Sequence, residues 1–129
     1  MARIKSFRDL RVYRAAFDAA MEIYEISKSF PPEERFSLTD QVRRSSRSVC
    51  QHIAEAWRQR PYPKYFSSKL TGAASEADET RVWLEFAWHC DYLSEEIFLT
   101  LDETYDGILG QLVHMASHPE QWVIRKRST

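Results

Sequence analysis

Four stretches of the chain repeat their apolar residues at alternating spacings of three and four, the period of a helix with one buried face. The residues that break helices fall between them. The first stretch, residues 8–29, sets Leu10, Tyr13, Phe17, Ala20, Tyr24 and Ser27 on one line, with Val12, Ile23 and Ile26 at its flank. Phe30-Pro31-Pro32 ends it, because proline disfavours helix in the residue before it and cannot continue the hydrogen-bond ladder. The second, residues 37–59, holds Leu38, Val42, Ser46, Val49, Ile53 and Trp57 within a sector of roughly 100°. Its opening Ser37-Leu38-Thr39-Asp40 reads as a capping box with Asp in place of Glu.

Pro61-Tyr62-Pro63 leads into the third stretch, residues 64–91, where Phe66, Leu70, Ala73, Ala77, Thr80, Leu84 and Ala87 keep heptad register. Its middle is small, at Ala73, Ala74 and Ala77, so the bulk facing it must come from another helix, with Tyr24 or Phe17 as suppliers. The fourth, residues 95–117, is capped by Ser94, carries Glu95 and Glu96 in its first turn, and continues the seam with Phe98, Leu101, Tyr105, Ile108, Leu112 and Met115. The pattern predicts an all-α, up-down-up-down antiparallel four-helix bundle forming one domain over residues 1–117. Residues 118–129 follow as a C-terminal tail that includes Arg125-Lys126-Arg127 and is either disordered or docked by Trp122.

At 129 residues the chain is long enough to bury a core without staples. Its two cysteines, Cys50 and Cys90, stand apart inside helical patterns, which points to reduced, buried thiols. No apolar run approaches the roughly 18 residues of a membrane helix, and the first residues are polar and charged where a signal peptide is apolar, so the expected location is cytoplasmic.

Charge is concentrated on the second helix. Arg43, Arg47 and Arg58 fall within about 60° of one another opposite the apolar sector, with Arg44 at the edge. Guanidinium groups stay charged and suit bidentate contact with phosphate or carboxylate. Pairing along the helix would neutralise the row, and Asp40 is spaced for Arg43 and Arg44 as Glu55 is for Arg58. Arg60, Lys64 and Lys69, interleaved with Trp57, Tyr62 and Tyr65 around the following turn, extend the set into a candidate nucleic-acid surface that offers phosphate partners and stacking faces, although Trp57 falls on the apolar side of its helix. The near-neutral balance, net charge -1 with pI about 6.4, is unlike that of a dedicated nucleic-acid binder.

Phe7-x-x-Leu10-x-Val12-Tyr13-x-x-Ala16, Phe30-Pro31 with Glu33 and Glu34, Leu38-x-x-Gln41-Val42-Arg43-Arg44-Ser45-x-x-Ser48-Val49, Ile53-Ala54-Glu55, Phe66-x-x-x-Leu70 and Ala73-x-Ser75-Glu76-Ala77-x-Glu79-Thr80 occur in that order. Over about residues 7–117 this series resembles the S23-like four-helix-bundle family that includes proteins encoded within intervening sequences of bacterial large-subunit rRNA genes. The family usually carries Asn before Ile-Ala-Glu and Gly after it; here His52 and Ala56 stand at those places. The same family includes the accessory protein of diversity-generating retroelements, a ring-shaped homopentamer that works with a reverse transcriptase and binds nucleic acid. The resemblance therefore implies a homo-oligomer, with five copies the leading number.

Residues 1–70 hold fourteen Lys/Arg against eight Asp/Glu, a balance of +6, whereas residues 71–129 hold four against eleven, a balance of -7. A ring joining the first half of one copy to the second half of the next would be electrostatically complementary; satisfaction within each bundle is the alternative. No glycine-rich phosphate loop, nucleophile elbow, HExxH or ExxH pattern is present, so no catalytic residue, cofactor or metal is expected. His114 and His118, four apart at a helix end, read as a surface coincidence. Glu76 and Glu79, with Arg43 or Arg44 as partners, and Glu55 form a candidate structural charge network. The reading adopted is a non-enzymatic homo-oligomeric scaffold or accessory protein; the alternative is an RNA- or DNA-binding protein using the basic face of the second helix and the turn that follows it.

Overall fold

The computed structural model describes residues 4–122. Helices α1 (Arg11–Ser27), α2 (Leu38–Arg58), α3 (Pro63–His89) and α4 (Glu95–Ser117) form the expected bundle, and single 3-10 turns lie at Phe7–Asp9, Pro32–Glu34 and Pro119–Gln121. The α2–α3 contact is the most extensive, followed by α3–α4. Helix α1 lies against α2 and α4 but not α3, so α1 and α3 occupy diagonal corners. Among the described residues no helix is long and apolar enough to cross a membrane.

The seams of α3 and α4 are buried as read: Phe66, Leu70, Ala73, Ala77, Thr80, Leu84 and Ala87 face Phe98, Leu101, Tyr105, Ile108, Leu112 and Met115 in one core. The α2 sector is also buried, except that Trp57 is half-exposed and Ala56 takes the inner position. Enclosing a leucine, isoleucine or phenylalanine side chain contributes about 1.5–3 kcal/mol, so these facing lines drive assembly of the bundle.

Helix α1 departs from the expectation. Its buried line is Val12, Ala16, Ala19, Ile23 and Ser27, while Phe17 is 47% exposed and Tyr13, Ala20 and Tyr24 are only partly covered. The helix carries two apolar lines side by side, and the one with alanines allows closer packing against the neighbouring helices. The interior bulk thus comes from Tyr105 and Phe66, the largest fully buried side chains, and not from Phe17 or Tyr24.

Gly72 marks a close approach of α3 to α2, since a Cβ there would stand 2.7 Å from His52 Cδ2. A hydroxyl pair, Ser45 and Thr80, bridges the same two helices at 2.8 Å inside the core. The expected capping box of α2 does not form: the Ser37 hydroxyl donates to Glu34 Oε1 at 2.6 Å instead and makes no capping bond to the first turn. Ser94 caps α4 as read, accepting from the Ile97 N–H at 3.1 Å. Helix α3 ends with Asp91 in the left-handed region (φ 65°), and the Tyr92 N–H bonds back to the Ala87 carbonyl at 2.9 Å, which satisfies the last turn's acceptors. Trp122 packs half-buried against the bundle, whereas Arg125, Lys126 and Arg127 lie outside the described residues.

Candidate functional site

Because α2 buries Val42, Val49 and Ile53, its opposite side must carry the arginines outward. Arg35, Arg43, Arg44 and Arg47 line one shallow groove with Thr39, Asp40, Ser48 and Gln51. Among the described residues, no carboxylate lies within ion-pair distance of Arg35, Arg43, Arg44, Arg47 or Arg58. The pairs expected along α2, Asp40 with Arg43 or Arg44 and Glu55 with Arg58, are therefore absent. Glu55 turns to α3 and meets Lys69 at 2.9 Å, which links the two helices and occupies one of the predicted cations.

The arginines are individually distinct. Arg43 is half-buried, donates from Nε to Ser27 Oγ at 2.8 Å and sets its guanidinium 4.9 Å from the Tyr24 ring. Arg47 and Lys28 approach the same ring at 5.9 and 4.8 Å, so Tyr24 is the aromatic centre of three cations. The ring quadrupole offsets part of their mutual repulsion. Arg44 is exposed, and its charge acts on Glu76 of α3.

Arg58 belongs to a second groove near the other end of α2, shared with Lys5, Arg8, Trp57 and Arg60. There Arg60 lies flat on Trp57, its guanidinium 3.4 Å from the ring centre, and donates from Nε to the Trp57 carbonyl at 2.8 Å. Lys64 is exposed at the start of α3, beside the edge-to-face pair Tyr62 and Tyr65. The predicted cations thus divide between two surfaces, since Arg43 and Arg58 are fifteen residues apart, about 22 Å along the helix.

Glu76 and Glu79 are close enough to share a hydrogen bond when one of the two carboxyls is protonated. Desolvation first, then that bond and the like charge of Glu79, hold the Glu76 carboxyl above its ordinary 4.5, while His52 and Arg44 pull it down. Glu79 also accepts from Trp83 Nε1 at 3.4 Å. Of the two arginines read as partners, Arg44 is the one whose charge acts on Glu76, while Arg43 turns to Ser27 and Tyr24. The charge network that binds helices most directly was missed: Arg81 of α3 meets Asp102 of α4 at 2.8 Å, with Asp78 and Asp106 at 3.4 and 3.9 Å. Its signal was available, because Arg81 is the sole lysine or arginine between residues 71 and 124 and stands among acids. Arg35 was missed as well; its eight-residue offset from Arg43 matters only because the turn before α2 brings it to the same groove.

The two histidines near the end of α4 have ring centres 4.3 Å apart, tilted by 31°, with a ring nitrogen of His118 bonded to the His114 carbonyl at 2.8 Å. That bond engages Nδ1 of His118 with backbone.

These features define a class: an antiparallel four-helix bundle whose second helix turns one face to the core and an arginine-rich face outward. The chain belongs to the 23S rRNA-intervening sequence protein family, whose model matches residues 8–114. It is similar to the crystal structure of a protein of unknown function from the S23 ribosomal protein family of Bacteroides thetaiotaomicron VPI-5482. That likeness has a TM-score of 0.74 and 27% identity, and covers 82% of this chain and 95% of the other. No curated protein matches the chain.

Proposed function

We propose that this protein is a non-enzymatic accessory protein whose α2 arginine face binds the phosphate backbone of nucleic acid. The observation that carries this reading is the set of Arg35, Arg43, Arg44, Arg47 and Arg58, none of which meets a carboxylate among the described residues. Guanidiniums repeated at helical spacing, with Arg44, Arg47 and Arg58 exposed and Arg43 half-buried, repel one another, and phosphates along a strand relieve that repulsion while releasing counterions. Binding of this kind is independent of sequence and sensitive to salt. Four phosphate contacts on a single strand give a slope of about -3 for log affinity against log salt.

A second reading is favoured by the charge balance of the two halves, +6 and -7. The protein then self-associates as a scaffold, five copies being the number implied by the family resemblance, and the arginine face of one copy meets the acidic side of the next. One variant separates the two. Arg43, Arg47 and Arg58 are replaced together by Glu, mass is measured by light scattering, and binding of a labelled single-stranded RNA is followed by anisotropy between 50 and 200 mM salt. Loss of RNA binding with unchanged mass supports the first reading. Loss of the oligomer supports the second, and unaltered salt-sensitive RNA binding overturns the arginine assignment.

A further inference from the structure

Both walls of the groove at the end of α2 hold an arginine against an aromatic ring. On the helix side Arg60 stands 3.4 Å from the centre of the Trp57 ring and is tied to the Trp57 carbonyl. On the side of the Phe7–Asp9 turn Arg8 stands 4.5 Å from the centre of the Phe7 ring, which is itself fixed edge-on to Tyr13 at 5.0 Å. Each guanidinium is thus placed before any ligand arrives, which removes part of the ordering cost of binding. Arg58 and Lys5 line the same groove, whose volume of about 590 Å³ falls inside the roughly 300–1,000 Å³ of small-molecule sites.

The acids beside these residues in the chain are engaged elsewhere. Asp9 accepts from the Lys5 and Ser6 N–H groups at 2.8 and 3.2 Å and lies 3.8 Å from Arg14, and Glu55 pairs with Lys69 at 2.9 Å. The Lys5 charge also acts on Asp9, so it is partly answered. Among the described residues, Arg8, Arg58 and Arg60 meet no carboxylate. Arg8 and Arg58, with Lys5, outnumber the single charge of a phosphodiester and suit a phosphomonoester, which carries about -1.5 to -2 near neutral pH and offers three acceptor oxygens. Arg60 has a different use. Stacked on Trp57, it turns the other side of its plane to the groove as a platform for a base, and such stacking is indifferent to which base it is.

We infer that this groove binds a nucleoside monophosphate, either free or as the phosphorylated end of a nucleic-acid strand. Arg8, Arg58 and Lys5 hold the phosphate, and the Arg60–Trp57 stack lies under the base. The strand-end source rests on the nucleic-acid reading above; the free-nucleotide source does not.

The test is calorimetric titration at constant low salt with AMP, adenosine and inorganic phosphate, then with a short single-stranded RNA carrying a phosphate at one end or hydroxyls at both. Arg8→Glu, replaced by Lys5→Glu if a melting curve shows it unfolded, removes a phosphate contact, while Arg60→Lys keeps the charge and removes the plane. Wild type is expected to bind AMP about tenfold more tightly than adenosine or inorganic phosphate. Arg8→Glu should lose the advantage over adenosine, and Arg60→Lys the advantage over phosphate. A phosphorylated RNA end that strengthens binding in wild type and not in Arg8→Glu identifies the strand end as the source. AMP binding with no preference among RNA ends identifies the free nucleotide. AMP no tighter than inorganic phosphate, with no preference for a phosphorylated RNA end, overturns the site, as does binding that neither substitution alters. RNA that binds regardless of its ends while AMP does not bind overturns the site and leaves the α2 backbone reading standing. AMP binding with no RNA binding does the reverse.

Discussion

Arg81 of α3 holds Asp102 of α4 through two parallel N–H···O bonds, Nε to Oδ1 at 2.8 Å and the terminal nitrogen to Oδ2 at 3.2 Å. Their side chains are 28% and 29% exposed, sheltered enough for the fork geometry to matter. Arg81→Ala is expected to lower stability by roughly 1–2 kcal/mol in urea unfolding, and Arg81→Lys to recover only part of it, because an ammonium cannot reproduce the bidentate contact. Equal stability of Lys and Arg proteins would show that simple charge attraction suffices.

Ser45 and Thr80 give a second test of how α2 and α3 are joined. Thr80→Val leaves the Ser45 hydroxyl buried with its cross-helix partner removed and should cost about 1–2 kcal/mol. Adding Ser45→Ala removes that hydroxyl, left with only a long 3.4 Å bond to the Val42 carbonyl, so the double variant is expected to be more stable than Thr80→Val alone. A double-mutant cycle with additive effects would dissociate the two hydroxyls energetically.

The glycines are expected to respond with opposite signs. A Cβ added at Gly107 or Gly110 meets nothing within 4 Å, so Ala there should raise stability by about 0.5–1 kcal/mol through helix propensity. At Gly72 the same change drives a Cβ into the His52 ring, which is tied through Nδ1 to the Ser48 carbonyl at 2.9 Å. Gly72→Ala should therefore destabilise, and His52→Ala in the same chain should relieve it. Thermal melts of the four variants decide the signs.

Stability should also carry a signature of Glu76. Its folded value lies above the ordinary 4.5, chiefly from desolvation and then from Glu79, so the stabilisation by its protonated form is complete below 4.5. That contribution is lost as pH rises through the folded value. Glu34, held below 4.5 by bonds from Ser37 and Tyr92, acts in the opposite sense and in a lower window, losing its contribution as pH falls. Urea midpoints measured upward from pH 4.5 should decline in wild type and decline less in Glu76→Gln. Parallel curves for the two proteins would remove Glu76 as the source.

Legibility in the sequence followed the number of apolar lines on each helix. Helices α3 and α4 each carry one dominant line, and every residue read onto it is buried. Helix α1 carries two, and periodicity gives no rule for choosing between aromatic bulk and small residues; packing against α2 and α4 selects Val12, Ala16, Ala19 and Ile23. The arginine face of α2 was visible, because its direction follows from the buried sector. Its partners were not. Glu55 reaches Lys69 across a helix boundary, Ser37 turns back to Glu34, and Arg81 finds Asp102 twenty-one residues away, all of which depend on tertiary proximity.

The two cysteines are chemically unequal. Burial pushes the Cys50 thiol up to about 11, whereas Cys90 is exposed and lines the same groove as Phe36, Trp83 and Phe86. Since only a thiolate attacks an electrophile at a useful rate, a maleimide dye added near neutral pH selects Cys90 in the unmodified chain. The fold thus supplies a native attachment point for a fluorophore beside the exposed Phe36 and Phe86 side chains, where a change in their surroundings would be read as a change in colour or intensity with no engineered residue.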